Sequence, residues 1–478
     1  MAKLLDLPTE LLRDILSKLD QEVRTDSLLS LCLTCHRLRS ISQTVLFHAF
    51  EAGHSYISGY DDRPRRKGSK FPVKKLMLFL RSIAMRPELA PSVKHVRFGL
   101  QAKESSQTLM RKTMMDALTV VQTAAPEYIL DIDDDEARKY WRTLGTLFVH
   151  PHLIITIHLL PQIETLIICD TYHTDDASLF SKLANISLAH LQSLKTFVIA
   201  GTELHGCRRA VALEDLVQLL RAPRLTECYL RSVDVIHAHK SNNTDSILSP
   251  GSMNVTHLKA RKCVSDAASL SALILASRRL EFFSFTARKR KVRPGREPYR
   301  RSDDDLNFLY WRYETDAIWA ALSAHSDSIV ELNLQGIDII HGNYSAEYLP
   351  STHPPFTIFS TLRILRLDFH RLKSHNHLPP TLCELYLAYC QCFSETIVSE
   401  ISDFRNLKHN QCPLLTKLHV KIVRRNCIGS PEISLERHGF CRPVHLLHGP
   451  ILELPDTGFE FMVSLGGYNS GQIVNPVS

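Results

Sequence analysis

Apolar and polar positions repeat with a helical period over the first fifty residues. At about 100° per residue, one set of apolar side chains falls within an arc of about 140°, with polar residues outside it. That set is Leu11, Leu12, Ile15, Leu16 and Leu19. Pro8 suits the first position of a helix, where its missing N–H has no partner and its φ is already helical. The pattern predicts an amphipathic helix that begins at Pro8.

Two further short helices are predicted before residue 50. Asp26 can cap a second helix, and the apolar spacing continues in a third. The second would carry Leu28, Leu31, Cys32 and Cys35, and the third Leu38, Ile41 and Val45. A module this small buries only about 60% of the surface of its unfolded chain. Some apolar surface is therefore expected to remain for a partner.

Beyond residue 90 a six-residue pattern recurs, with apolar side chains at its first, fourth and sixth positions. Ten copies begin at Val93, Ile163, Leu194, Leu225, Val255, Leu280, Ile329, Leu362, Leu382 and Leu415. From Ile163 onwards the copies begin 31, 31, 30, 25, 49, 33, 20 and 33 residues apart. The pattern predicts a short strand whose alternate side chains enter a shared core. Helical patterns at residues 213–220, 270–275 and 317–322 precede three of the strands.

This organisation resembles a leucine-rich-repeat solenoid, in which short parallel strands and helices stack repeat upon repeat. That family also places Asn or Cys eight residues after the first apolar position, and among the ten copies only Cys263 and Cys390 do so. The expected fold class is α/β: an N-terminal three-helix module followed by an irregular repeat solenoid. The alternative is one large α/β domain in which such short apolar runs arise by chance.

The N-terminal segment resembles an F-box. The matching elements are Leu7-Pro8-Thr9-Glu10, then Ile15-Leu16 and Leu19, and later Cys35 followed by basic residues. The family's late Trp is replaced here by Val45-Leu46-Phe47. An F-box contacts the Skp-type adaptor of an SCF ubiquitin ligase, and through it a cullin scaffold. The resemblance therefore implies adaptor binding for Leu7, Pro8, Glu10, Leu11, Leu12, Ile15, Leu16, Leu19, Cys35 and Leu38. The alternative is an ordinary helical cap on a larger domain.

A target protein would bind the repeat strands through the side chains that lie between the core positions. Aromatic and arginine residues are the usual energetic anchors of such surfaces. The candidates are Tyr229, Arg231, Glu331, Asn333, Arg363, Arg366, Tyr386 and His419. Plain solvation is the competing explanation for each of them.

Charge is concentrated in two basic runs within a chain of net charge +7. Arg288, Lys289, Arg290, Lys291 and Arg293 fall in an insertion near residues 287–303, where the copies are 49 residues apart. This run predicts a nuclear localisation signal, an anion-binding loop or a solvated loop. The second run, within residues 51–89, is interpreted as a basic linker. Neither run is interleaved with aromatic residues, so no nucleic-acid partner is expected.

Several functions are not expected from this sequence. No apolar run is long enough to cross a membrane, and the leucines near the start are interrupted by charges. The twelve cysteines form no framework, and the Cys32-x-x-Cys35 pair has no second pair to complete a zinc site. No phosphate loop, nucleophile elbow or zinc-protease motif occurs, so neither a cofactor nor a catalytic site is expected. A cytoplasmic or nuclear location is the expectation.

The predicted domains are an F-box at 1–50, a basic linker at 51–89, a repeat solenoid at 90–425, and a C-terminal cap or tail at 426–478. The leading hypothesis is the non-catalytic substrate-recognition subunit of an SCF-type ubiquitin ligase. The alternatives are an adaptor-bound scaffold without target degradation, or an enzyme with a dispersed site in residues 90–478.

Overall fold

A computed structural model describes fourteen segments of the chain. They are residues 6–19, 24–52, 72–99, 150–170, 188–201, 210–231, 233–236, 248–265, 267–287, 315–334, 355–368, 378–389, 411–423 and 460–466. The chain divides into two compact units, residues 1–248 with 252–255, and residues 249–251 with 256–478. None of the helices described is both long and apolar enough to cross a membrane.

The first unit opens with three helices around a small apolar core. The core residues are Leu12, Leu16, Leu28, Ile41 and Val45. The helices are α1 (Thr9–Ser17), α2 (Arg24–Cys32) and α3 (His36–Phe47). This confirms a three-helix N-terminal region.

Three details differ from the sequence-based expectation. Pro8 is the residue before α1 rather than its first residue, with ψ at 149°, so the helix begins at Thr9. Asp26 lies in the first turn of α2 rather than at its cap, because that helix begins at Arg24. Cys35 is not on α2 but caps the start of α3 in extended conformation, since a turn after Cys32 ends the helix. Cys32 is buried, as expected of a core thiol.

The segment predicted to be a basic linker contains regular structure at both ends. Strand β1 (Ala49–Ala52) follows α3 directly, and α4 (Pro72–Met85) continues into a 3₁₀ helix at Pro87–Ser92. Leu76, Leu80 and Ile83 of α4 are buried, and the rings of Phe50 and Phe79 stack with centroids 3.8 Å apart. The linker interpretation of 51–89 is corrected, because these apolar side chains are part of a core. The basic run at 63–70 lies outside the described residues.

Parallel strands follow in the first unit. After β1 they are β2 (His95–Gly99), β3 (Thr165–Asp170), β4 (Thr196–Gly201), β5 (Ala210–Ala212), β6 (Glu227–Arg231) and β7 (Asp234–Ile236). Five of them lie in the order β1-β2-β3-β4-β6, and each pairs in parallel with the next. The helices are α5 (His150–Leu159), a 3₁₀ turn (Leu188–Leu191) and α6 (Leu213–Leu220).

The second unit also has parallel strands. The strands are β8 (His257–Ser265), β9 (Phe282–Ala287), β10 (Glu331–Leu334), β11 (Ile364–Asp368), β12 (Glu384–Tyr389), β13 (Lys417–Val423) and β14 (Glu460–Gly466). Each of them pairs in parallel with the next one in chain order. The helices are α7 (Ala267–Ala276), α8 (Thr315–Ser323) and a 3₁₀ turn (Phe356–Ile358).

Each of the ten six-residue patterns coincides with a strand, and its apolar positions are buried wherever their side chains are described. The three predicted helices are also present, as α6, α7 and α8. The α/β class with parallel strands is therefore confirmed. Strands β1, β5, β7 and β14 were not predicted, and β14 places regular structure inside the segment 426–478 that was interpreted as a cap or tail.

The sequence pattern misses one further buried position in most repeats. Three residues before the first apolar position lies a buried residue whose carbonyl accepts a hydrogen bond from that position's N–H. These residues include Ala90, Leu160, Leu191, Ala222, Phe359, Pro379 and Cys412. The resulting turn leads the chain into the strand. The structural repeat is therefore longer than the six-residue pattern seen in the sequence.

Successive repeats are joined at the start of each strand by a main-chain ladder. In most of the strand pairs described, one carbonyl accepts from two consecutive N–H groups of the next repeat. For example, the Val330 carbonyl accepts from Arg363 at 2.9 Å and from Ile364 at 3.1 Å. The same geometry joins Glu281 to residues 330 and 331, and Arg363 to residues 383 and 384. The strand registers are therefore fixed at their first residue.

A ladder of side-chain hydroxyls reinforces this edge in the second unit. The residue just before the first apolar position donates to the carbonyl of the first apolar residue in the preceding repeat. Ser328 donates to Leu280 at 2.9 Å, Thr361 to Ile329 at 2.9 Å, and Thr381 to Leu362 at 2.9 Å. Inter-repeat hydrogen bonds of this kind are present although most copies lack the Asn that the repeat family uses.

Candidate functional site

The apolar stripe of α1 is divided between the core and the surface. Leu12 and Leu16 are buried in the three-helix core, whereas Leu11 and Ile15 leave 51% and 44% of their surfaces exposed. Because both pairs are spaced four residues apart, each forms its own line along the helix. The inner line stabilises the helices, and the outer line is available for contact.

A second pair of exposed apolar side chains lies at and just beyond the end of α2. Leu29 is 47% exposed and Leu33 is 82% exposed. Isolated exposed leucines are ordinary, but four large apolar side chains exposed within some twenty-five residues form an unusual concentration. Leu11, Ile15, Leu29 and Leu33 are called here the exposed apolar set. The sequence-based prediction omitted Leu29 and Leu33, although their i, i+4 spacing is visible.

The other predicted adaptor-binding residues fall into three groups. Leu12, Leu16 and Leu38 are buried, the first two of them in the three-helix core. Pro8 and Glu10 are exposed beside Leu11, and Cys35 is half-buried. Leu7 and Leu19 are half-buried against the three-helix core. Arg37 donates from Nη2 to the Leu7 carbonyl at 2.6 Å, which ties the Leu-Pro turn to α3.

The second unit carries a different kind of surface on its strands. Between the buried positions of β8 to β13, half-buried polar and aromatic side chains form two rows that follow the strand register. The first row contains His257, Phe282, Glu331, Glu384 and Lys417, and the second contains Lys259, Asn333, Arg366, Tyr386 and His419. These ten residues are called here the polar sheet face.

Arg366 joins three strands of the polar sheet face. Its Nη2 lies 3.2 Å from Oε1 of Glu331 on β10, and its guanidinium carbon lies 4.6 Å from the ring centroid of Tyr386 on β12. Burial raises the pKa of the Glu331 carboxyl, while the charges of Arg366 and Lys259 oppose this rise. The arginine therefore offsets part of the cost of holding a carboxylate at a half-buried position.

Tyr386 is surrounded by charged and aromatic groups. Its hydroxyl donates to Glu384 Oε2 at 2.7 Å, and the His419 ring meets it edge-on with centroids 5.6 Å apart. Lys417 Nζ lies 5.7 Å from the ring centroid. Burial and the hydrogen bond to Glu384 raise the pKa of Tyr386, so the phenol stays protonated and donating. Arg366 and Lys417 therefore both lie within cation–π range of the same tyrosine ring.

Lys259 occupies the β8 end of the same face. Its Nζ lies 5.8 Å from the Phe282 ring centroid, and the Phe282 ring stacks with His257. Burial lowers the pKa of the Lys259 ammonium, and the positive charges of Arg261 and Arg366 lower it further against the opposing effect of Glu331. The surroundings of Lys259 therefore carry an excess of positive charge.

The register brings together four of the eight predicted target-binding residues. The second row contains Asn333, Arg366, Tyr386 and His419 on four neighbouring strands. Glu331, in the first row, forms an ion pair with Arg366. Arg363 is exposed just before β11 rather than on a strand. Tyr229 and Arg231 are half-buried on β6 of the first unit. The predicted localisation run, Arg288 to Arg293, lies outside the described residues.

Among the described residues, no group of three or more His, Cys, Asp or Glu side chains is arranged to hold a metal ion. The rings of His158 and His190 in the first unit meet edge-on with centroids 4.3 Å apart. Two imidazoles alone do not make the three- or four-ligand site that zinc requires.

Comparison with protein families identifies the N-terminal module. The F-box-like family model matches residues 4–50, which cover α1, α2 and α3 and end within β1. The chain therefore begins with an F-box-like domain, and parallel strands with helices follow it. The matched residues include all four members of the exposed apolar set. No curated protein matches the chain at a significant level.

Proposed function

We propose that this protein is the substrate-recognition subunit of an SCF-type ubiquitin ligase. The F-box-like domain would bind a Skp-type adaptor and through it a cullin scaffold. The strands that follow would bind a target protein and hold it near the catalytic subunits. The observation that carries this proposal is the exposed apolar set on helices that match the F-box-like family.

The adaptor side rests on the burial pattern of the helices. Burying the exposed surface of Leu11 and Ile15 on a partner would contribute about 25 cal/mol per Å² of apolar area. The core residues Leu12 and Leu16 hold α1 in place beneath that pair. The proposed contact surface is thus the outer line of α1 with the adjacent Pro8 and Glu10.

The target side rests on the repeated strands. We propose that they form a leucine-rich-repeat-like solenoid, on the support of ten matching patterns, parallel pairing and the ladders at the strand starts. In such a solenoid the side chains between core positions form the binding surface. The polar sheet face has the aromatic and arginine residues that dominate interface energies.

The chain would supply no catalytic group itself. In this proposal ubiquitin transfer to the target is favoured by proximity, because the ligase assembly holds both reactants together. A cytoplasmic or nuclear location belongs to the same proposal.

The test is capture of a purified Skp-type adaptor by the full chain. Leu11→Asp/Ile15→Asp places charges on the outer line of α1 without altering the core, and it should reduce capture at least tenfold. The matched control is Arg13→Gln/Lys18→Gln, which changes the net charge by the same amount at exposed polar positions of the same helix region. It should leave capture unchanged.

A thermal melt of each variant separates loss of contact from loss of fold. Failure of the unmodified chain to capture the adaptor would remove the proposal. Equal capture by the Leu11/Ile15 variant would show that the contact surface is elsewhere. Half-lives of bound partners in cells lacking this chain distinguish target degradation, which lengthens them on deletion, from an adaptor-bound scaffold, which leaves them unchanged.

A further inference from the structure

The cations of the polar sheet face are spread over strands rather than gathered at one point. Lys259 lies on β8, Arg366 on β11 and Lys417 on β13. With strands about 4.8 Å apart, three steps separate the first two by about 14 Å, and two steps separate the last two by about 10 Å. A single tetrahedral anion cannot reach all three.

The carboxylates of this face are already engaged within it. Glu331 pairs with Arg366, and Glu384 accepts the hydrogen bond of the Tyr386 hydroxyl. The three cations outnumber these two carboxylates, and Arg261 adds an exposed positive charge beside Lys259 on β8. Anionic groups from outside therefore meet an excess of positive charge, in positions set by the strand register.

The aromatic side chains restrict where such groups can bind. Arg366 and Lys417 both lie over the Tyr386 ring, and Lys259 lies over Phe282. Each cation is thus held against an aromatic surface, which limits its freedom and lowers the entropy lost on binding. The face presents preorganised cationic points with apolar surface between them.

We propose that the polar sheet face binds an extended acidic segment of the target protein, with carboxylates about three and about four residues apart. An extended chain advances about 3.3 Å per residue, so the separations of about 10 Å and 14 Å correspond to those spacings. Carboxylates on successive positions of one chain match separate strands better than one phosphate does. This inference rests on the proposed function, and it names the chemistry of the target.

The probe is a fluorescein-labelled ten-residue peptide, Gly-Glu-Ser-Gly-Glu-Ser-Gly-Ser-Glu-Gly, and the measurement is fluorescence anisotropy with the full chain at low ionic strength. Three control peptides accompany it. In the first every Glu is replaced by Gln, in the second the three Glu residues are consecutive, and in the third a single phosphoserine replaces them all. Binding of the spaced Glu peptide should weaken with added salt.

Lys259→Gln and Lys417→Gln remove charges from opposite ends of the face and leave the Arg366–Glu331 pair in place. Each should raise the dissociation constant of the spaced peptide about threefold to tenfold. Lys18→Gln, on the surface near α1, is the matched control and should have no effect. Adaptor capture should be unchanged in all three variants, and a thermal melt of each variant reports that the second unit is folded.

Equal binding of the Gln peptide or the clustered peptide would overturn the inference, as would tight binding of the phosphoserine peptide alone. Unchanged affinity in Lys259→Gln/Lys417→Gln would overturn it too. The two proposals fail separately. Loss of adaptor capture with intact peptide binding removes the F-box role, whereas absent peptide binding with intact adaptor capture removes the acidic-segment assignment.

Discussion

Thr361 donates a hydrogen bond from Oγ1 to the main-chain carbonyl of Ile329 at 2.9 Å, across the boundary between two repeats. Ile329 lies just before β10 and Thr361 just before β11, and Thr361 is half-buried. The bond gives the Ile329 carbonyl a partner and holds the next strand in register. A neutral hydrogen bond of this kind contributes about 0.5–1.5 kcal/mol.

Thr361→Val should therefore lower the free energy of unfolding by about 1 kcal/mol, because valine keeps the shape and removes the donor. Thr361→Val/Thr381→Val should lower it by about twice as much, since Thr381 makes the same bond to Leu362. Urea denaturation followed by circular dichroism measures both. Thr357→Val, at an exposed position on the adjacent 3₁₀ turn, is the control, and a loss of similar size there would contradict the ladder.

His325 joins three segments of the second unit from a buried position. Its Nδ1 accepts from the Leu280 N–H at 3.4 Å, so Nε2 carries the hydrogen and donates to the Ile274 carbonyl at 2.8 Å. His325→Leu keeps much of the volume but leaves two buried main-chain groups without these partners. It should lower the free energy of unfolding by about 2–3 kcal/mol. Urea denaturation beside Asp327→Ala, an exposed neighbour, checks this, and equal effects of the two would refute it.

His158 makes the stability of the first unit depend on pH. Burial, followed by the nearby charge of His190, lowers the pKa of His158 from 6.5 to about 4. Between these values the unfolded chain binds a proton that the folded chain does not, so stability is complete above pH 6.5 and falls as the pH drops towards 4. The loss should be on the order of 1 kcal/mol, since solvent reaches part of the ring. His158→Gln should flatten this part of the stability profile, and an unchanged slope would contradict the assignment.

Arg366 and Glu331 should be energetically coupled. Arg366→Met leaves the half-buried Glu331 without its countercharge and should lower the free energy of unfolding by about 1–2 kcal/mol, less than for a fully buried pair. Glu331→Gln/Arg366→Met should recover most of this loss, because the amide needs no countercharge. A double-mutant cycle in urea measures the coupling. Strictly additive losses would show that the pair contributes nothing.

Leu11 and Leu12 are adjacent in sequence but opposite in burial. Leu12→Ala should lower the free energy of unfolding of the F-box-like domain by about 2–5 kcal/mol, because it opens a cavity in the three-helix core. Leu11→Ala should change it by less than about 0.5 kcal/mol, because that side chain is half exposed to water. Hydrogen exchange of α1 and α3 amides reports both. Equal effects would place Leu11 inside the core instead.

Periodicity was sufficient to predict the three N-terminal helices, three later helices and ten of the fourteen strands described. A pattern of three apolar positions located ten strands, because an alternating side-chain period of two is imposed by the strand itself. Strand β1 was not predicted because it is short and directly follows α3. Strand β14, at Glu460–Gly466, was not predicted because it does not follow the preceding strand at the usual interval.

The candidate sites were only partly accessible from the sequence. Leu11 and Leu12 belong to one apolar stripe, and only the packing of α2 and α3 decides which of them faces the core. The row of Asn333, Arg366, Tyr386 and His419 depends on the register of four strands, and that register is set by hydrogen bonds between residues at least twenty positions apart. Leu29 and Leu33 were missed because exposed leucines look like core residues in a sequence.

The sequence by itself determined the parallel-strand α/β class, the positions of ten strands and the three N-terminal helices, because these follow from local periodicity. The tertiary structure alone decided which side chains are exposed and which charges meet. Leu11 becomes a surface residue, and Arg366 becomes the partner of both Glu331 and Tyr386, only when distant segments pack. Burial and electrostatic pairing depend on neighbours in space, and the chain order does not specify those neighbours.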